Sequence, residues 1–164
     1  MLEKLQHTDL NGTHTPMETG LSHRDLNDGE RCEDFFQIRR ELGALQYLAT
    51  RTRIHLSFPV NLLSTRIKAP TNKDQQALKR IWRYLTTHQE DGIWFCKQKD
   101  WKDDGIETTV DSEYGANPDS RSTFGYIIRL NGNIVNFRTR KQRIVTLSST
   151  ESEYVGIVEA VKSL

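Results

Sequence analysis

Two carboxylates in this 164-residue chain stand out by position. Asp111 closes the run Thr108-Thr109-Val110-Asp111, whose neighbours favour an extended strand. Aspartate is depleted in strands, so its presence there needs a reason. Glu153 falls in the first turn of a helical stretch that opens near Ser148. On a wheel of about 100° per residue, Leu164, Ile157, Val161, Tyr154 and Val158 span an arc from about 20° to about 140° measured from Glu153. That arc is the predicted buried face, and Glu153 stands at its rim. A strand aspartate and a helix glutamate on adjacent elements make half of a site for a hard divalent cation such as Mg2+, which takes oxygen ligands and keeps several waters. A capping role competes for the glutamate. Thr150-x-x-Glu153 and Ser148-x-x-Glu151 both match the capping box, in which the glutamate satisfies an orphan amide at the helix start. Glu151 lies on the opposite rim, so helical geometry leaves open which glutamate serves which purpose.

A second set of residues suits phosphate. Arg129, Arg138, Arg140, Lys141 and Arg143 place five positive charges within fifteen residues with no acid between them. On an alternating strand Arg138 and Arg140 share a side and can follow a phosphate backbone. The competing role is a basic edge that guards an exposed strand against pairing. Between Gln37 and Arg83, ten basic residues (Arg39, Arg40, Arg51, Arg53, Arg66, Lys68, Lys73, Lys79, Arg80 and Arg83) face only Glu41 and Asp74. Such a field favours a polyanion, because each neutralised phosphate releases counterions; solvated helix faces give the same composition. Trp82, Trp94 and Trp101 have the ring faces for base stacking but read as packing residues. The five histidines show no ligand spacing and no nucleophile partner. Cys32 and Cys96 lack a C-x-x-C partner and are read as reduced thiols.

The elements that position these residues follow from periodicity. Phe35, Ile38, Leu42, Leu45 and Leu48 recur at helical steps, with Gly43 suggesting a close approach. A short helix is expected from about Pro59, since proline is tolerated in a first turn. From Thr71 or Asn72 as N-cap, Ala77, Leu78, Ile81 and Leu85 form the stripe of another helix that runs to Gly92. The period then changes. Ile93 to Cys96 reads as a short β-like run, followed by a charged connector. Three strand-like runs follow, ETTVDSEY, STFGYIIRL and NIVNFRTR, the last two joined by Asn131-Gly132, a dipeptide suited to the positive φ angles of a tight hairpin. With the final helix this gives a β-β-β-α unit and an α+β (mixed α/β) fold: helices first, then a small antiparallel sheet with one packed helix. The predicted divisions are a flexible or surface-draped acidic segment over 1–33, a helical region over 34–97 and the β-β-β-α unit over 98–164.

Composition bounds the rest. The formal net charge of +1 conceals a segregation: residues 1–30 hold 2 basic and 6 acidic residues, residues 31–110 hold 14 and 10, and residues 111–164 hold 7 and 6. Only 35% of residues are hydrophobic, and no run approaches the roughly 18–20 apolar residues of a membrane span. The first residues lack the apolar core of a secretory signal, so an intracellular location, cytoplasm or nucleus, is expected.

The run RSTFGYIIRLNGNIVNFRTRKQRIVTLSSTESEYVGIVEA resembles the ribonuclease H segment of copia-type LTR-retrotransposon Pol polyproteins, whose helix reads S-S-T-E-A-E-Y. Upstream, RRELGALQYLATRTRIHLSF and the ALKRIWRYL helix are similar to the stretch that follows the reverse-transcriptase core in the same polyproteins. The resemblance covers about residues 35–164. It implies that Asp111 and Glu153 are the first two acidic ligands of a two-metal site using Mg2+ or Mn2+, with Glu113 peripheral. It further implies hydrolysis of RNA in an RNA–DNA hybrid, recognised by shape, phosphates and 2′-hydroxyls. Relatives continue with a D-N-x-S-A segment and further acidic ligands. No Asp or Glu follows Glu159 here, so the expected site is incomplete, holds its metal weakly, and is weakly active or inactive. The Y-V-D-D strand of polymerase catalysis is absent from this sequence, and a non-catalytic nucleic-acid-binding remnant is the alternative reading.

Overall fold

In a computed structural model, which describes residues 11–27, 29–97 and 105–164, the chain divides into two units, Met1–Gly92 and Ile93–Leu164. The described residues of the first unit are helical: α1 (His23–Asn27), α2 (Phe35–Arg51), a 3-10 turn (Ile54–Leu56), α3 (Ser57–Thr65) and α4 (Asn72–Thr87). Thr71 caps α4 as its sequence predicts. Its hydroxyl accepts the Asp74 amide, and the Asp74 carboxylate accepts the Thr71 amide at 2.7 Å, a reciprocal capping box. Pro59 sits in the first turn of α3, where its missing N–H costs nothing. The helix α4 stops at Thr87, short of the expected Gly92, where His88 leaves the helical conformation (φ −116°, ψ 49°), and Arg53 donates to the carbonyls of His88 (2.7 Å) and Gln89 just beyond that end.

The core of this unit gathers Ile38, Leu42, Leu45 and Ala49 from α2, Val60, Leu62 and Leu63 from α3, and Leu78, Ile81, Trp82 and Leu85 from α4. Trp82 is fully buried and donates its indole N–H to Glu41 at 2.7 Å, so a buried carboxylate has a designated donor. Arg66 and Asp74 form a second buried pair (2.6 Å) whose remaining donors reach Asn27 and the Leu26 carbonyl. Part of the acidic segment, read as flexible or surface-draped, is docked: Leu26 is 1% exposed, and Cys32 N–H donates to the Pro70 carbonyl at 2.9 Å. Gly43 differs from expectation too. It is exposed, and a Cβ built on it meets nothing within 4 Å.

The second unit holds β1 (Ile106–Glu113), β2 (Thr123–Leu130), β3 (Asn133–Lys141) and α5 (Ser149–Val161). The sheet is antiparallel in the order β1-β2-β3. Asn131 (φ 49°) and Gly132 (φ 74°) make the tight hairpin. Ile93 to Cys96 is not a strand. Instead the Asn133 side chain binds the Cys96 backbone from both sides, accepting its N–H at 2.7 Å and donating to its carbonyl at 3.1 Å. That bond attaches this segment to the sheet unit. Trp94 is 75% exposed. Trp101 lies outside the described residues.

The orientation of α5 overturns the predicted arc. Ser152, Gly156 and Ala160 are buried, while Tyr154, Ile157, Val158, Val161 and Leu164 are exposed. Small side chains let the helix backbone come close to the sheet, and a Cβ on Gly156 would stand 3.0 Å from Val110 Cγ1 and 3.4 Å from Phe124 Cβ. Polar bonds fix the same orientation at both ends. Ser152 meets Ser112 at 2.5 Å and gives its carbonyl to Gln142 at 2.7 Å, and Ser163 accepts from Tyr126 at 2.9 Å.

The two glycines predict opposite outcomes. Gly43→Ala raises the stability of the first unit by about 0.5–1 kcal/mol, the helix-propensity gain at an open site. Gly156→Val lowers that of the second by about 1–3 kcal/mol through overpacking. Native-state hydrogen exchange, which reads each unit by its own amides, checks both.

Candidate metal and nucleic-acid site

Strand alternation decides where Asp111 points. Val110 lies against Gly156, and the Ser112 hydroxyl meets Ser152, so both face α5. Glu107, Thr109, Asp111 and Glu113 therefore project to the opposite face. The cross-strand partner of Asp111 is Gly125, where even an added Cβ would meet only ordinary contacts at 3.6 and 3.7 Å. Asp111 is exposed, with one carboxylate oxygen accepting the Ser112 amide at 2.9 Å.

At the start of α5, the cap belongs to Ser148 and Glu151. The Ser148 hydroxyl accepts the Glu151 amide at 3.1 Å, and the Glu151 carboxylate accepts the Leu147 amide at 2.6 Å. Glu153 thus has no part in the cap, which the sequence left open between the two glutamates. It is exposed, one position past the buried Ser152. Glu151, Tyr154, Val155, Val158 and Glu159 line the flank of α5 that borders the end of β3. By helical spacing Glu153 belongs to the other flank, with Ile157, Val161 and Leu164, on the side of β1. The two carboxylates thus flank the β1 side of the sheet, Asp111 from the face away from the helix and Glu153 from the helix above it. No hydrogen bond joins them.

The link between the two acids is the Ser112–Ser152 hydroxyl pair, since each serine is the chain neighbour of one acid. Sequence reading missed it. Its one signal was the four-residue spacing of Ser152, Gly156 and Ala160, a small-residue row along one helix face. Carboxylates are the donor type that Mg2+ takes, but the structure sets Asp111 and Glu153 on opposite sides of the sheet and does not bring them together into one site. Among the described residues, no group of three or more His, Cys, Asp or Glu side chains is placed to hold a metal ion.

The basic residues divide between the two faces. Arg140 pairs with Phe124 and Arg138 with Tyr126 in the register, so both stand on the α5 face, sharing a side as the sequence predicts. Arg129 lies on the other face, bonded to Thr109 at 3.2 Å and paired with Glu107 at 3.7 Å. Lys141 is held by Asp119 at 2.7 Å, and Arg143 is exposed beyond the strand. In the helical unit, seven of the ten basic residues have structural partners, Arg40 bonding Gln37 at 2.8 Å and Arg39 lying over the Phe35 ring among them. Arg66 binds Asp74, Arg53 binds the end of α4, Arg80 reaches Glu18, and Lys73 and Arg83 bind the carbonyls of Asp25 and Asn11.

Comparison with known proteins places the chain. It is 40% identical over 122 residues to secreted RxLR effector protein 161 of Plasmopara viticola, covering 74% of this chain and 84% of that protein. It is 34% identical over 151 residues to the retrovirus-related Pol polyprotein from transposon RE2 of Arabidopsis thaliana, and 37% identical over 133 residues to that from transposon RE1. The chain belongs to the same family as secreted RxLR effector protein 161, and its homologues include retrotransposon Pol polyproteins. It spans 10% and 9% of the lengths of the RE2 and RE1 polyproteins, although those alignments cover 92% and 80% of the chain itself. No family model matches this chain, and no solved structure matches it significantly. No helix among its described residues is long and apolar enough to cross a membrane.

Two acids of the sheet unit tie its stability to pH. The Lys141 ammonium hydrogen-bonded to Asp119, and that of Lys162 beside Glu159, hold both carboxyls below their ordinary values. Depressed carboxyls stabilise the folded state above their unfolded values of about 4, and that stabilisation is lost as pH falls through the folded values. Asp119→Asn with Glu159→Gln flattens this loss in urea denaturation series between neutral and acidic pH.

Proposed function

We propose that residues 98–164 are the opening part of a ribonuclease H-like region of a copia-type Pol polyprotein, and that residues 34–97 are the connection after its reverse-transcriptase core. In this reading Asp111 and Glu153 are the carboxylates available to Mg2+ or Mn2+, Asp111 from the face of the sheet away from α5 and Glu153 from α5 itself. The observation that carries this reading is the division of labour in α5: Glu151 takes the cap, leaving Glu153 exposed and uncommitted on the flank nearest β1. When bound, the metal supplies a clamp on the scissile phosphate and an activated water. The chain's own residues do the positioning. Ser112 and Ser152 hold the strand and the helix turn together, so the neighbouring acids keep a fixed spacing. Gly125, having no side chain opposite Asp111, leaves room for a phosphate beside the carboxylate. The substrate in this reading is the RNA strand of an RNA–DNA hybrid, cleaved weakly because two carboxylates supply only part of the charge that a metal pair requires.

A second reading, a non-catalytic nucleic-acid-binding remnant, is favoured by Arg138 and Arg140 on one face of the sheet. One assay separates the two. Incubated with Mg2+ or Mn2+ and an end-labelled RNA–DNA hybrid, the purified chain cleaves the RNA strand under the first reading. Asp111→Asn and Glu153→Gln each reduce the rate by roughly 100-fold, the scale of lost electrostatic stabilisation at a reacting phosphate. Salt-sensitive hybrid binding without cleavage, unchanged by Asp111→Asn, establishes the second reading instead.

A further inference from the structure

A groove of about 430 Å³ runs between the end of β3 and the flank of α5 turned away from Glu153. Its volume lies within the roughly 300–1,000 Å³ of small-molecule sites. Phe124, Val155 and Val158 supply apolar lining, and Arg140 and Arg143 supply positive charge. Lys162 also borders it but is committed to Glu159 at 2.9 Å. The Glu151 carboxylate there is committed to the helix cap.

Gln142 lines the same groove and is 2% exposed. Its side-chain nitrogen donates to the Ser152 carbonyl at 2.7 Å, which fixes the amide orientation, because a flipped amide would set oxygen against oxygen. The amide oxygen is then a buried acceptor with no partner among the described residues. Leaving a buried acceptor unpaired is costly, so a ligand N–H or O–H is the natural complement. Apolar lining, an unpaired buried acceptor and two guanidinium groups form a triple requirement: a flat apolar body, a hydrogen-bond donor and an anion.

We propose that this groove binds a nucleotide unit. The base lies against Phe124, Val155 and Val158, a base N–H or ribose hydroxyl donates to Gln142 Oε1, and the phosphate is held by Arg140 and Arg143. The site is separate from Asp111 and Glu153 and does not depend on cleavage there. Either a free nucleotide or a nucleotide within a single strand presents the required groups.

The test is an NMR titration of the full chain with AMP, adenosine, inorganic phosphate, a short oligoadenylate and phosphotyrosine. AMP is expected to shift the amides of residues 140–143 and 154–158, with adenosine and phosphate each binding about tenfold more weakly, the scale of one charge-assisted hydrogen bond. Arg140→Ala with Arg143→Ala brings AMP down to the affinity of adenosine, and Asp111→Asn leaves AMP binding unchanged. Gln142→Met weakens adenosine and AMP alike; if that variant unfolds, the arginine pair still decides. Tighter oligoadenylate than AMP assigns the groove to a strand, and equal affinity assigns it to a free nucleotide. The proposal is overturned if millimolar AMP leaves those amides unmoved, if the arginine substitutions do not weaken it, or if phosphotyrosine binds more tightly than AMP.

Discussion

Contact between the α5 backbone and the sheet at Gly156 is the constraint on which the second unit depends. A helix carrying bulky residues on its inner face would ride higher on the strands, and the short polar bonds at its two ends would open. The serine pair at 2.5 Å and the Gln142–Ser152 bond at 2.7 Å exist only because the helix sits this low. Those bonds in turn set the spacing between β1 and the N-terminal half of α5, which carry the two candidate metal ligands. Packing, rather than any direct bond between the carboxylates, therefore determines where the acids stand.

Local signals in the sequence were reliable where a single residue's chemistry decides the conformation. Asn131-Gly132 adopts positive φ because that turn admits few other pairs, and Thr71 with Asp74 closes a capping box because side-chain length and spacing match. Leu42, Leu45, Leu78, Ile81 and Leu85 are buried as their periodicity requires. The inner face of α5 was not legible, because hydrophobic periodicity assigns the core to the largest apolar residues. Here the depth of a small-residue contact outweighs the area of Ile157 and Val161. For the candidate site, the strand position of Asp111 was readable from composition. The assignment of the cap to Glu151 was not, since both glutamates satisfy the same four-residue pattern and only the atomic contacts separate them.

Charge counting was a similarly partial guide. The excess of basic residues between Gln37 and Arg83 reads as one field, yet Arg66 is a brace joining α1 to the start of α4, and Arg53 binds the carbonyls just past the end of α4. A guanidinium removed from water must find several acceptors, and Arg66 finds them in Asp74, Asn27 and the Leu26 carbonyl. Long-range partners of this kind, about forty residues away in sequence for Leu26 and Asn27, leave no trace in a local window. In the sheet, the apparent cluster of five basic residues resolves into different surroundings: Arg138 and Arg140 beside the helix, Arg129 and Lys141 bound to carboxylates, and Arg143 beyond the strand.

The inverted face of α5 also reverses which of its positions can drift. Ordinarily the large aliphatic residues of a helix resist replacement while its small ones vary. In this unit a lineage could exchange Ile157, Val158 or Val161 for polar residues and keep the fold, whereas enlarging Ser152, Gly156 or Ala160 would lift the helix off its strands. Selection for folding alone would thus write its record in the least hydrophobic letters of the helix.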